Sequence, residues 1–212
     1  MPDVYAKNEA TSKEDAAKIV PRAEFRVFEQ GVIEHVQQRI WNGKTVLFAA
    51  RRMPLETYFL SVHTNEANVK VREGLLDIKT KVGETPEGYE IFQPRGKFQF
   101  PVKRDDLAEI VSHLKADMKL DADSYTIDEF ITMARRHPEL APVTVEKMRY
   151  GFTIDGIICE YAQVWFNGAL IETACAESEN YAGMKQVVEE LGLADKPNTN
   201  YLRAAKKVVG ME

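Results

Sequence analysis

Two spacings of apolar residues divide this chain. Alternation of apolar and polar positions, the mark of a half-buried strand, runs through AEFRVFE at 23–29 and NVKVREGLLDIKTKV at 68–82. TVLFAA at 45–50 and ETYFLSV at 56–62 read as two more strands, parted by Pro54, and GYEIFQP at 88–94 as another. From Val145 to Ser178 the pattern predicts three consecutive strands. They are joined by Asp155-Gly156 and Asn167-Gly168, the dipeptides that best make two-residue hairpin turns. Helical spacing takes over elsewhere. Val32, Ile33, Val36 and Ile40 mark a helix within 30–42, and Leu107, Ile110, Val111 and Leu114 mark another from 103. A third starts near Ser124 or Thr126 and meets Pro138 near its end. Two more close the chain, the last capped by Thr199 or Asn200 and stopped by Gly210. Residues 1–22 read as an N-terminal arm and 23–210 as a single domain with a helical insertion around 103–140. Strands in two groups, tight hairpins and helices between them predict an α+β protein built on one large antiparallel sheet or barrel.

The hairpins also predict which side chains share a face. With Glu73-Gly74 as the turn, Arg72 lies opposite Leu75 and Lys70 opposite Asp77. Lys70, Arg72, Asp77, Lys79 and Lys81 then share one face, and Val69, Val71, Leu76, Ile78 and Val82 the other. In the second group Lys147 and Arg149 share a face with Glu160 and with Thr173, Cys175 and Glu177, and Arg149 is diagonal to Glu160. Glu172 points the other way, together with a row of large apolar residues that includes Tyr150, Phe152 and Tyr161. Solvent could wet both charged faces. If the sheet curls into a barrel they turn inward instead, and a basic lining can bind the oxygens of a polyanion.

Composition narrows the choice of ligand. The chain has 212 residues and a net charge of −5, which argues against a general nucleic-acid binder. No apolar run is long enough for a membrane span, and the start lacks a secretory pattern, so a cytoplasmic protein is expected. Two cysteines, Cys159 and Cys175, make no disulfide framework, and four scattered histidines predict no histidine metal site. Against an acidic whole, basic residues concentrated on two faces suit a small anionic phosphorylated ligand.

The order of these segments resembles the CYTH superfamily, the triphosphate tunnel metalloenzymes, over roughly residues 23–205. EFRVF stands where that family has its ExExK strand. NVKVREGLLDIKTK resembles its R-x-R strand pair, EKMRYGF its K-x-R strand, and GIICEYAQVWFNGALIETACAES the stretch that ends in a metal-binding glutamate. The resemblance implies an antiparallel β-tunnel of about eight strands flanked by helices. It also implies binding and hydrolysis of a triphosphate (inorganic tripolyphosphate, a nucleoside triphosphate or thiamine triphosphate) or adenylate cyclase-like chemistry, with Mg²⁺ or Mn²⁺. Carried over residue by residue, Arg26, Lys70, Arg72, Lys79, Lys81, Lys147 and Arg149 are phosphate ligands, and Glu24, Glu160 and Glu177 metal ligands. Glu90 is a further acidic candidate, and no catalytic residue is assigned. Tyr58 and Phe59 could stack on a base, though core packing is the stronger expectation. The pattern departs from the family at Arg26, Phe28 and Ala162, which replace a glutamate, a lysine and an aspartate. Those losses favour anion binding over metal binding, so a non-catalytic binder of a phosphorylated or polyanionic ligand stands beside the enzyme. An interaction protein with wet charged faces is a third reading. The sequence does not fix the oligomeric state and allows a homodimer.

Overall fold

A computed structural model describes residues 9–40 and 45–212. Residues 1–8 of the expected arm and 41–42 of the first expected helix lie outside it. In chain order the elements are α1 (Lys13–Lys18), β1 (Arg22–Phe28), α2 (Val32–Ile40), β2 (Thr45–Arg52), β3 (Glu56–Ser61), β4 (Thr64–Arg72), β5 (Leu75–Glu84), β6 (Glu90–Gln99), β7 (Val102–Lys103), α3 (Arg104–His113), β8 (Ser124–Tyr125), α4 (Ile127–Arg136), β9 (Leu140–Ile154), β10 (Ile157–Phe166), β11 (Ala169–Ser178), α5 (Tyr181–Glu190) and α6 (Tyr201–Val209).

Eight antiparallel strands close on themselves in the order β1-β6-β5-β4-β3-β9-β10-β11 and back to β1. This is the closed barrel that the resemblance implies. Full closure leaves these strands no bare edge. β9 makes closure possible because it is long. It pairs with β10 from Val145 to Ile154, while its other side holds β3 first and β2 after it. β2 is thus an outboard strand beside the ring.

Three two-residue turns set the register. Glu73, Asp155 and Asn167 have φ of 50°, 48° and 48°, each followed by a glycine also at positive φ, the type I′ geometry that fits the twist of a hairpin. Arg72 therefore faces Leu75, and Lys70 faces Asp77, as the sequence predicts. One expected position differs. An extra residue in β5 between Lys81 and Gly83 takes Val82 off the apolar face, and it is 47% exposed.

Helices cover the outside in two groups. α2 and α5 pack with Phe25, Phe152, Cys159 and Tyr161. α3 and α4 pack on Phe59, Val69, Leu76 and Ile78, where the Phe59 and Phe130 rings lie 4.3 Å apart. Full burial of such side chains contributes roughly 1.5–3 kcal/mol each. α4 starts with a reciprocal capping box between Thr126 and Glu129. Thr126→Ala should cost about 1 kcal/mol, seen as a loss of about 2–4 °C in melting temperature for a chain of this size. An unchanged melting point would contradict the cap.

α6 is different, because it covers inward-facing positions. Tyr58, Leu60, Val143, Val145, Ala162, Val164 and Phe166 belong to the same alternating series as the charged inner residues, and they pack on Leu202, Ala204 and Ala205. One end of the barrel is thereby filled with apolar side chains and stoppered by α6. α1 lies across β6 on another side, held by Thr11 paired with Lys97 and by the Gln93 amide, which donates to the Ala16 and Ile19 carbonyls.

Candidate functional site

What remains of the barrel interior is a charged chamber of about 170 Å³. β1 contributes Arg22, Glu24 and Arg26; β3 contributes Glu56 and Tyr58; β4 contributes Asn68, Lys70 and Arg72. Lys79 comes from β5, Lys147 and Arg149 from β9, Glu160 from β10 and Glu177 from β11. The N-terminus of α6 forms the floor with Asn200, Tyr201 and Leu202. Asn200 fixes it there: its Oδ1 accepts from the Leu202 and Arg203 amides, and its Nδ2 donates to Glu90. Seven basic side chains and four carboxylates line the chamber.

Two buried networks organise these charges. Glu56, 1% exposed, receives Lys147 Nζ at 2.7 Å and Lys70 Nζ at 3.2 Å, with Arg72 at 3.7 Å. Burial opposes ionisation of Glu56, but Lys147 and Lys70 hold its carboxyl well below the usual range. Lys70 is pulled down to about 8, because burial outweighs the help from Glu56. Lys147 also donates to the Tyr58 hydroxyl at 2.9 Å and stands 4.4 Å from the centre of the Tyr201 ring.

In the second network Glu160 is bound by Arg149, with Arg26 at 3.4 Å. Burial again opposes its charge, yet Arg149 and Arg26 keep it ionised. Arg26, 5% exposed, reaches Glu24 at 2.5 Å and lies with its guanidinium carbon 4.6 Å from the Tyr201 ring centre. Burial drives the Tyr201 pKa up, so its hydroxyl keeps its proton. That hydroxyl is buried and has no hydrogen-bond partner among the described residues.

Of the expected phosphate ligands, Arg26, Lys70, Arg72, Lys79, Lys147 and Arg149 come together in the chamber. Lys81 lies outside its lining, engaged by Glu84 and by Glu90 at 3.4 Å. Lys79 is exposed and carries no ion pair among the described residues. The expected metal ligands Glu24, Glu160 and Glu177 all line the chamber, and each is held by arginine, Glu177 by Arg22 at 3.3 Å. Among the described residues no group of three or more His, Cys, Asp or Glu is arranged to hold a metal ion. Tyr58 and Phe59 are core residues, Tyr58 facing inward and Phe59 under α4.

Glu56, Arg22, Asn68 and Tyr201 are chamber residues that strand parity did not single out. Arg22, Arg72, Lys79 and Glu177 also border a second cavity of about 250 Å³ that runs beneath α1. The chamber is therefore closed at α6 and shares four lining residues with the space beneath α1. No helix among the described residues is long and apolar enough to cross a membrane.

No family model matches the chain, and no curated protein does. Among solved structures it is similar to a conserved hypothetical protein from Pyrococcus furiosus, at 15% identity and a TM-score of 0.47, over 85% of this chain and 98% of that one. It is similar to a candidate adenylate cyclase from Bacillus halodurans, at 11% identity and 0.44, over 88% and 98%. It is also similar to a Hippeastrum protein described as a candidate adenylyl cyclase with a dominant triphosphatase activity, at 11% and 0.46, over 91% and 96%.

Proposed function

We propose that the barrel is a binding chamber for a small phosphorylated polyanion of the triphosphate class. The observation that carries the reading is the excess of seven lysines and arginines over four glutamates inside a closed barrel of an acidic protein. Charges held in a partly desolvated chamber attract an anion far more strongly than the same charges on a surface. Arg149 can offer a planar two-point contact to phosphoryl oxygens, while Lys70 and Lys147 act as point charges. The resemblance of the charged strands to the triphosphate tunnel family points to the same ligand class.

Hydrolysis is a second reading, and Lys70 favours it. An ammonium with a pKa near 8 can pass a proton to a departing phosphate oxygen at neutral pH. Glu56 and Glu160, held below the usual carboxylate range by the basic groups beside them, are weak bases for activating water.

The test is a melting curve with increasing tripolyphosphate, ATP or sulfate, with inorganic phosphate read from the same wells. A ligand that binds only the folded chain raises its melting point by a predictable amount, about 2.7 kcal/mol of stabilisation at a hundred times Kd. Tripolyphosphate should stabilise saturably and well beyond sulfate at equal ionic strength. No saturable shift with any phosphorylated compound would overturn the reading. Phosphate release that scales with occupancy would add hydrolysis to it.

A further inference from the structure

The register places three glutamates abreast. Glu24 on β1 lies directly opposite Glu177 on β11 and Glu90 on β6. Like charges across a ladder repel, and such a row normally needs a cation to hold it. Glu160 projects into the same region from β10. Each of these carboxylates is instead turned to a basic side chain of the protein's own. Glu177 meets Arg22, Glu90 meets Lys81 and the Asn200 amide, and Glu24 and Glu160 converge on Arg26.

Arg26 is the centre of this arrangement. Nε donates to Glu24 at 2.5 Å, Nη1 donates to Glu160 at 3.4 Å and to the Thr173 hydroxyl at 3.2 Å, and Nη2 donates to Cys175 Sγ at 2.9 Å. Cys175 sits directly across the ladder from Arg26 and accepts as a neutral thiol, its pKa pushed well up by burial. The Tyr201 ring covers the guanidinium carbon. The guanidinium is thus ringed by two carboxylates, a hydroxyl, a sulfur and an aromatic face, at 5% residue exposure. Those are the surroundings of a bound cation, with an organic cation already in them.

We infer that Arg26 occupies, with its own side chain, the cation seat formed by β1, β10 and β11, so that the chamber carries no divalent metal. The ligand half of this inference rests on the reading above: a phosphoanion enters and binds without Mg²⁺ or Mn²⁺. Two arguments support it. A divalent ion within a few ångströms of the guanidinium would meet strong repulsion in a medium of low dielectric. Displacing Arg26 would leave a buried charge without its partners, which costs several kcal/mol. Glu24, Glu160 and Glu177 therefore do not fit the metal role that the resemblance implies. Their role is to position the arginines. Arg26 is present from the moment of folding and cannot be chelated away.

The experiment has two independent readouts on the wild-type protein. Electron paramagnetic resonance of Mn²⁺ at one equivalent reports whether the ion is bound, with no ligand or turnover needed. Calorimetric titration with tripolyphosphate in EDTA, and again in excess Mg²⁺, reports whether the anion needs a metal. The expected result is free Mn²⁺ and tripolyphosphate affinity in EDTA at least equal to that in Mg²⁺. Arg26→Glu should reverse both, binding Mn²⁺ at one equivalent and losing at least tenfold in metal-free tripolyphosphate affinity. Arg26→Lys should keep Mn²⁺ free. Should Arg26→Glu fail to fold, the wild-type measurements still decide. Stoichiometric Mn²⁺ on the wild type overturns the filled seat. Tripolyphosphate binding only with Mg²⁺ overturns the metal-free chamber. Free Mn²⁺ with no tripolyphosphate binding under either condition supports the filled seat and overturns the ligand reading instead.

Discussion

Replacing Glu56 by glutamine is expected to destabilise the fold by about 3–5 kcal/mol, the usual cost of removing one partner from a buried ion pair. The carboxylate is almost inaccessible and lies between Lys70 and Lys147, both buried, with Arg72 close by. Glutamine fits the space but takes from the two ammonium groups the carboxylate that compensates them most. The pH dependence gives the effect a signature. Burial pulls the Lys70 pKa down to about 8 from its ordinary 10.5. Below pH 8 the folded and unfolded chains are both protonated at Lys70, and the burial penalty is fully felt. Between 8 and 10.5 the folded chain gives up the proton first, the unfolded chain binds more protons, and stability from this group rises with pH. Removing Glu56 takes away the main interaction that favours the Lys70 charge, so this relief begins at lower pH. The deficit of Glu56→Gln should therefore shrink between pH 6.5 and pH 9.5 in guanidinium denaturation. Equal deficits at the two values would contradict the network. On the acid side the sign is opposite. Glu56 is depressed in the folded chain, so its contribution is present above its ordinary pKa and fades as pH falls toward the folded value.

Arg149→Met should weaken tripolyphosphate binding by on the order of a hundredfold. A hydrogen bond to a charged group is worth about 1.5–3 kcal/mol, and about 1.4 kcal/mol is a factor of ten. Among the basic residues of the chamber, Arg149 is anchored by Glu160 on one side and is still 39% exposed at its side chain. It can take a phosphoryl group without first leaving its carboxylate. Methionine keeps most of the aliphatic stem, so the loss reports the guanidinium and not the packing. Lys79→Met at the rim should cost far less, because an exposed point charge contributes little. The two variants compared by titration calorimetry separate a contact inside the chamber from attraction at its edge. Equal small losses would place the anion at the rim and contradict a ligand held inside.

The charged faces were legible because three turns state their own geometry. Glu73-Gly74, Asp155-Gly156 and Asn167-Gly168 are two-residue turns with both residues at positive φ, so parity alone places Lys70 opposite Asp77 and Arg149 diagonal to Glu160. Closure was legible only through the family resemblance. β1 meets β6 and β3 meets β9 across long stretches of chain that carry no local signal. The same distance hid Glu56. Its strand was recognised, but the two lysines it holds come from β4 and β9, which only the closed ring brings to it. Val82 was misplaced because an extra residue in β5 leaves no mark in a run of alternating residues. In the sequence Arg26 is only one more residue of the basic lining, because its four acceptors come from β1, β10 and β11 together.

The apolar stopper at α6 governs traffic. A barrel open at both ends lets one molecule push another through, whereas this one is a cul-de-sac. A guest must back out the way it came, and a second cannot arrive until the first has gone. A large group attached to the phosphates of the proposed ligand would have to trail away from Tyr201, on the side that faces the space beneath α1. Whatever slows departure through that doorway then limits how often the chamber can be refilled.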